Sequence, residues 1–516
     1  MQHSRYIVLP GTGFRSDVLR TGHLQVSDRL NLVRPGEHVG AEIVVLDNIG
    51  EDGPRLVEMN DDGEIALMRE YAGDIRIIPL HIYERPNPGK LPERQAGEQP
   101  SSTGRSKPSD VEAEDVQTWC FRVTERGGAP IADATVSVYT YYRRREGVSG
   151  KTDVNGEVKL TVPSGSKIER LYIHGPAGYW SIYRLSLNYD EENTFFLDKI
   201  DPSADNLALK KFRGDIPLTA GENVKVGIID TGITRTHPNV VVAGGRNCVF
   251  DETVDDPQAI DEWDDIAAHG SHVAGIVAGR PTEACGFAGV APMAELRAYR
   301  VFPKDGLGAS NFDIMKAIGF AVADGCHVIN LSLGGTFSDE AIRAAVGDAR
   351  GQGVLVVAAA GNDGRKPVRY PAALESVIAV SAIGLRSSFP SDSVEQAEVA
   401  RPSCRADPDI FLSAFTNTGP QIKLTAPGVG IVSTVPGGFQ SMSGTSMSAP
   451  MISGLAAAIL SRDPYGLTIS PETRVKELIR ELLDHALSLG FDRDQEGAGL
   501  PLMAGPWRAA LTSTGK

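Results

Sequence analysis

From about Leu207 onward, short apolar runs rich in β-branched residues alternate with alanine-rich stretches of helical pattern, and no other feature limits the fold so strongly. The runs are Val224–Asp230 (VKVGIID), His327–Leu333 (HVINLSL), Val354–Ala360 (VLVVAAA) and Ser376–Ile383 (SVIAVSAI). Near-continuous apolar strands are expected where both faces of a sheet are covered, as in a parallel sheet flanked by helices. Asn311–Asp324 and Glu340–Gln352 are the helix candidates between them. This strand–helix alternation predicts an α/β fold over residues 207–510, a mainly parallel sheet with helices on both faces.

The 516 residues predict more than one folded body. Glu84–Asp115 is dense in Pro, Ser, Gly and charge and holds almost no large apolar side chain, so it reads as a flexible linker over 84–115. Before it, residues 1–83 read as a small α/β module, with strands at Ala41–Leu46 and Ile75–Ile82 and a short helix at Glu64–Tyr71. After it, polar and apolar residues alternate with period two and break at turns such as Asp153–Gly156 (DVNG). That pattern predicts a small antiparallel β-sandwich over residues 116–198. Tyr139, Tyr141, Tyr142, Tyr179 and Trp180 form either a contact surface or part of its core.

The net charge of −15 tells against a nucleic-acid partner, which calls for a concentrated basic surface. No run reaches the ~18–20 apolar residues needed to span a bilayer, so no membrane partner is expected. The opening MQHSRYIVLP lacks the charged-then-apolar layout of a secretory signal, and the five cysteines are scattered singly. A cytoplasmic location is expected from both.

In open α/β sheets the functional side chains gather at the carboxyl ends of strands. Asp230 closes the first apolar run. His269 opens a small-residue stretch, HGSHVAGIVAG, that reads as a closely packed helix. Ser446 stands where the loop Ser441–Thr445 enters another small-residue helix, and an N-terminal oxygen there lies in the positive end of the backbone dipole. Taken singly, Asp230 is a helix cap or turn carboxylate and Ser446 an N-cap, Ser443 and Ser448 fit as well as Ser446 on composition, and His272, one turn after His269, reads as a packing or hydrogen-bonding histidine. Acyl transfer by serine, however, needs a hydroxyl, a base to take its proton and an acid to orient that base.

The motifs DTGI (Asp230–Ile233), HGSHVAG (His269–Gly275) and GTSMSAP (Gly444–Pro450) are very similar to the three signatures of the subtilisin-like serine proteases, the subtilase family. The chain order Asp, His, Ser is the one that family uses. Ser271 departs from the threonine usual there. The resemblance implies a serine endopeptidase that acts on protein or peptide substrates with no cofactor for catalysis. It implies Asp230, His269 and Ser446 as the catalytic residues and Asn362, in VLVVAAAGNDG, as an oxyanion donor. Ser332, Leu333 and Gly334 become an exposed edge that pairs with the substrate backbone, a plain strand end being the alternative.

Subtilases often use structural calcium, but the acidic stretch Asp251–Asp265 does not match the regular calcium loop and reads as a solvated insertion. Asp363 reads as a solvated turn carboxylate or a charge at a pocket rim, and Ser387–Pro408 as a surface excursion. Glu58–Tyr83 weakly resembles the end of an inhibitory propeptide, which would make the chain's own N-terminal module, residues 1–83, its inhibitor. Residues 116–198 resemble the carboxypeptidase-regulatory-like β domain. The competing functions are a catalytically silent scaffold and partner docking through that β domain.

Overall fold

The computed structural model describes residues 4–11, 13–14, 43–49, 53–60, 63, 64, 67, 75–84, 115–190, 193–306, 308–404, 406–462 and 468–513. The first module holds β1 (Ser4–Pro10), β2 (Ile43–Asn48), β3 (Arg55–Met59) and β4 (Ile75–Pro79), an antiparallel sheet in the order β2-β3-β1-β4, followed by β5 (Ile82–Glu84). The period-two alternation sends Ile7, Leu9, Leu56 and Ile78 to one face of this sheet and Val8, Val45, Val57 and Met59 to the other. Most of the helix expected at Glu64–Tyr71, and all but the two ends of the expected linker, lie outside the described residues.

The next stretch forms two sheets from β6 (Val116–Glu125), β7 (Thr135–Tyr141), β8 (Glu146–Lys151), β9 (Glu157–Pro163), β10 (Ile168–His174), β11 (Ile182–Leu187) and β12 (Thr194–Leu197). Their orders are β12-β6-β9 and β11-β10-β7-β8. Every second residue of β9 is buried, and Trp119, Phe121, Val138, Leu160 and Leu171 fill the space between the sheets. The sandwich is not wholly antiparallel as expected, because β12 returns from β11 to pair parallel with β6.

The third body is built on β13 (Lys225–Asp230), β14 (Val242–Asn247), β15 (Glu295–Arg300), β16 (Gly308–Ser310), β17 (Val328–Leu331), β18 (Leu355–Ala359), β19 (Ile378–Leu385), β20 (Val399–Ser403), β21 (Ile410–Ser413) and β22 (Ile422–Pro427), with the hairpin β23 (Ile431–Val435) and β24 (Gly438–Met442). Its main sheet runs β14-β15-β13-β17-β18-β19-β21-β20, with β22 also paired to β19. Pairings from β14 to β19, and β19 to β22, are parallel; β21 and β20 add an antiparallel edge. The helices that position the site are α1 (His269–Ala278), α2 (Asn311–Ala323), α3 (Glu340–Gly351) and α4 (Thr445–Arg462). Two apolar clusters cover the sheet. One joins its side chains to α1 and α4, and the other joins them to α2, α3 and the first module.

The stretch Ser387–Pro408 is not a surface excursion. It supplies the edge strand β20 and buries Ser388, Phe389, Ser393, Glu395 and Cys404. Apolar anchors (Phe389, Cys404) sit between its polar residues. Beside Glu395, burial first and the Glu395 charge second push Glu398 up to about 7 from the ordinary 4.5. The fold therefore binds this proton more tightly than the unfolded chain does. The associated stability is present below pH ~4.5 and is lost, by roughly 3 kcal/mol, as pH rises to ~7. Glu398→Gln is expected to flatten that decline and raise the melting temperature at pH 8, read by thermal unfolding in chains that also carry Ser446→Ala.

Candidate active site

The site forms at the carboxyl end of β13, which lies between β15 and β17 in the sheet. Asp230 is the last residue of β13, and the turn after it bends back against the first turn of α1. That approach requires glycine: a Cβ on Gly270 would stand 2.0 Å from the Gly232 carbonyl oxygen. Gly232 itself has φ +103°, where a side chain is strained.

The Asp230 carboxylate is fully buried, and its Oδ1 accepts from His269 Nδ1 at 2.7 Å and from the Thr231 amide at 2.7 Å. With Nδ1 donating, the neutral imidazole carries its lone pair on Nε2, which is buried and has no hydrogen-bond partner. Thr231 Oγ1 accepts from the Gly270 amide at 2.9 Å and donates to Asp265 Oδ1 at 2.8 Å. Asp265 also accepts from the Ala267 and Ser271 amides, so one carboxylate ties the Asp230 turn to the start of α1. Burial pushes the Asp265 pKa up.

Ser446 stands in the first turn of α4, which packs against α1. Its Oγ donates to the Ser332 carbonyl oxygen at 3.2 Å and makes no hydrogen bond to His269. Asn362 lies beside it, with Oδ1 accepting from Thr445 N at 2.9 Å and Thr445 Oγ1 at 2.8 Å. Those two bonds fix which end of the amide faces away from the helix. Nδ2 is directed past Gly444, where a Cβ would stand 3.1 Å from it.

Residues 221–501, more than half of the chain, match the subtilase family. The chain belongs to the subtilase family. Similar proteins include the thermostable alkaline protease of Halalkalibacterium halodurans, 35% identical over 245 residues that cover 47% of this chain and 58% of that protein. Subtilisin E of Bacillus subtilis is 37% identical over 249 residues, 47% of this chain and 57% of its own length. Subtilisin of Bacillus pumilus is 36% identical over 249 residues, 47% of this chain and 79% of its own length. The matched stretch thus spans less than two thirds of the first two relatives.

In this subtilase the expected substrate edge is not exposed. Ser332 and Leu333 are buried, and Gly334, half-buried, accepts from Arg369 Nη1 at 3.4 Å. Asp363 is neither a solvated turn carboxylate nor a free charge at a rim. Arg369 binds it through two bonds of 2.6 and 2.7 Å, and Asn417 Nδ2 donates to it at 2.8 Å. Burial raises its pKa, and these bonds outweigh that effect and hold the carboxyl below its ordinary value.

The acidic stretch before His269 is largely paired. Asp251 meets Arg5, Glu252 meets Arg300, Glu262 meets Lys304, and Asp265 is consumed as described. Among the described residues no group of three or more His, Cys, Asp or Glu side chains could hold a metal ion. No helix among them is long and apolar enough to cross a membrane.

His272, one turn after His269, is a packing histidine. Its Nε2 donates to the Ile431 and Gln440 carbonyls at 2.8 and 3.0 Å, and burial, with His269 nearby, pushes its pKa down to about 3.

Sequence reasoning missed a polar chain beneath the nucleophile. Ser453 Oγ donates to Asn330 Oδ1, Asn330 Nδ2 to Ser332 Oγ, and Ser332 Oγ to the Ser446 carbonyl, each at 2.9 Å. The signal was present as single polar residues inside apolar runs, Asn330 in β17 and Ser453 in α4. Buried polar groups need partners, so two of them in facing elements point to each other.

Proposed function

We propose that this subtilase is a serine endopeptidase that hydrolyses peptide bonds through an acyl-enzyme intermediate and is held inhibited by its own first module. The observation that supports it most is the buried 2.7 Å bond from His269 Nδ1 to Asp230, which leaves Nε2 as an unpartnered base, with Ser446 in the first turn of α4, the helix packed against α1. In the reaction Ser446 Oγ turns from the Ser332 carbonyl toward Nε2, gives up its proton there and adds to the substrate carbonyl carbon. Asn362 Nδ2 and the Ser446 amide donate to the resulting oxyanion. His269 returns the proton to the leaving amine, and a water repeats the sequence to free the acid. Asp230 stays charged throughout and holds the tautomer. The chemistry needs no cofactor, and protein or peptide chains are the substrates.

Inhibition by the first module is supported by β5, which pairs antiparallel with β16 from Ile82–Ser310 to Glu84–Gly308. Fully buried Asn311 clamps the approach: it donates to Pro79 O and accepts from His81 N. The Tyr83 ring is buried against Gly335, in one cluster with Leu333 next to the Ser332 carbonyl. Tyr83→Ala is expected to weaken the strap and raise the basal rate of active-site labelling about tenfold, equivalent to roughly 1.4 kcal/mol lost from the closed form. An unchanged rate would remove β5 as the inhibitory contact. All five cysteines are free, three of them buried, which supports a reducing, cytoplasmic location.

Asn362→Ala is expected to lower kcat by about 10²–10³-fold with KM little changed, because its Nδ2 donor acts on the oxyanion and not on the ground-state substrate. Steady-state kinetics on a short peptide p-nitroanilide reads this. The function as a whole is tested by incubating the chain, after its first module has been removed by a trace of general protease, with a denatured protein. New internal termini found by mass spectrometry are the expected result. Their absence from wild type, or their presence in Ser446→Ala, would contradict it.

A further inference from the structure

The β-sandwich meets the catalytic body at the hairpin that leads to the nucleophile. The Gly178 amide donates to the Phe439 carbonyl in β24 at 2.7 Å. Trp180, buried, packs in one cluster with Phe389, Phe411, Val429 and Val432. Next to it, Ile182 at the start of β11 bridges to Ser393, and the Val394 amide donates to the Ser181 carbonyl at 3.0 Å. The sandwich sheet thus continues into residues 392–394 of the catalytic body.

Glu395 follows directly. Its Oε1 accepts from Ser441 Oγ in β24 at 2.7 Å, while its buried Oε2 has no hydrogen-bond partner. Burial pushes this carboxyl's pKa up, opposed by the neighbouring Ser441 and Ser393 hydroxyls. A buried carboxyl with one oxygen unmet costs stability, and an apolar side chain of similar size would fill the space without that cost. Packing therefore does not account for a glutamate here. Two residues past Ser441, Ser443 Oγ accepts from the Gly430 amide at 3.0 Å, and the next amide, of Gly444, donates to Gly428 O at 2.8 Å. The loop that delivers Ser446 is held by this short series of bonds, and Glu395–Ser441 is its first.

We infer that Glu395 is a positioning residue for the nucleophile, and that the sandwich, by holding residues 392–394, sets Glu395 against Ser441 and so fixes the approach of Ser446. This deepens the peptidase function proposed above and rests on it. The sandwich is then part of the catalytic machinery and not only a separate docking module.

The test uses the full chain, activated by a trace of general protease as above, and four variants treated identically, Glu395→Leu, Glu395→Gln, Ser441→Ala and the Leu/Ala double, with kcat and KM on a short p-nitroanilide and thermal unfolding in parallel. Glu395→Leu and Ser441→Ala are each expected to lower kcat about tenfold, the upper end for one lost hydrogen bond, with KM within about twofold. The double variant should lose no more than either single. Glu395→Gln, which keeps the acceptor, should retain kcat within about twofold.

Unchanged kcat in the Leu and Ala variants, additive losses, or a loss in Glu395→Gln as large as in Glu395→Leu would overturn the inference while leaving the peptidase function intact. An activated wild-type chain without turnover would instead overturn the peptidase function, and the inference with it. Ser441→Ala removes only one half-buried hydroxyl of the hairpin, so it serves if Glu395→Leu fails to fold.

Discussion

Ser446→Ala is expected to lower turnover by about 10⁶-fold while leaving the fold and the KM intact, the size of the loss that subtilisin itself shows without its nucleophile. The reason is that no other hydroxyl can stand in. Ser443 Oγ accepts from Gly430 N, and Ser448 Oγ donates to the Ala426 carbonyl at 3.0 Å, so both serve the backbone of β22 and the turn after it. Ser446 Oγ meets only a carbonyl oxygen at 3.2 Å, a weak bond that one rotation about Cα–Cβ releases. Single-turnover measurements on the activated chain read the effect, with Ser448→Ala as the control that should keep most of the activity. A loss in Ser448→Ala matching that in Ser446→Ala would move the nucleophile.

Asp230→Asn is the second large effect, about 10⁴-fold in kcat by the size seen when a serine-protease triad loses its carboxylate. Asp230 Oδ1 holds two N–H groups, from His269 and Thr231, and Oδ2 is buried without a partner. An amide keeps one acceptor but puts an NH₂ group where no acceptor stands, or turns over and meets His269 with a donor. In the second case the imidazole flips its tautomer and presents N–H to Ser446. In both, the imidazolium formed during attack loses its counter-charge. Binding of the peptide backbone does not involve Asp230, so KM is expected to change by no more than a few-fold, as kinetics on the same substrate would show.

How much of this was legible in the sequence depends on the range of the interactions. VKVGIID and VLVVAAA announce buried parallel strands because both faces must be apolar, and Asn311–Ala323 and Glu340–Gly351 fall where the helix pattern put them. Asp230 and His269 carry family motifs, and the structure brings them to 2.7 Å. What stayed hidden rests on partners distant in the chain. Asp363 looks solvated until Asn417 and Arg369 are folded onto it. Asp265 sits in a run of acids of which Asp251, Glu252 and Glu262 meet arginines or a lysine, and its bond to Thr231 sets it apart. The parallel return of β12 and the pairing of β20 with β21 involve register, which local alternation does not encode. Ser387–Pro408 misleads for the opposite reason: its composition is that of a loop, while Phe389 and Cys404 turn inward.

The central claim is that Ser446 is the nucleophile activated by His269, and covalent capture tests it most directly. The activated chain is treated with a fluorophosphonate, digested, and the modified residue mapped by mass spectrometry, beside His269→Ala treated identically. The predicted result is one adduct on Ser446, formed at least about a hundredfold faster in wild type than in His269→Ala, the lower bound for losing a general base. An adduct on another serine, or equal rates in the two chains, would contradict the account.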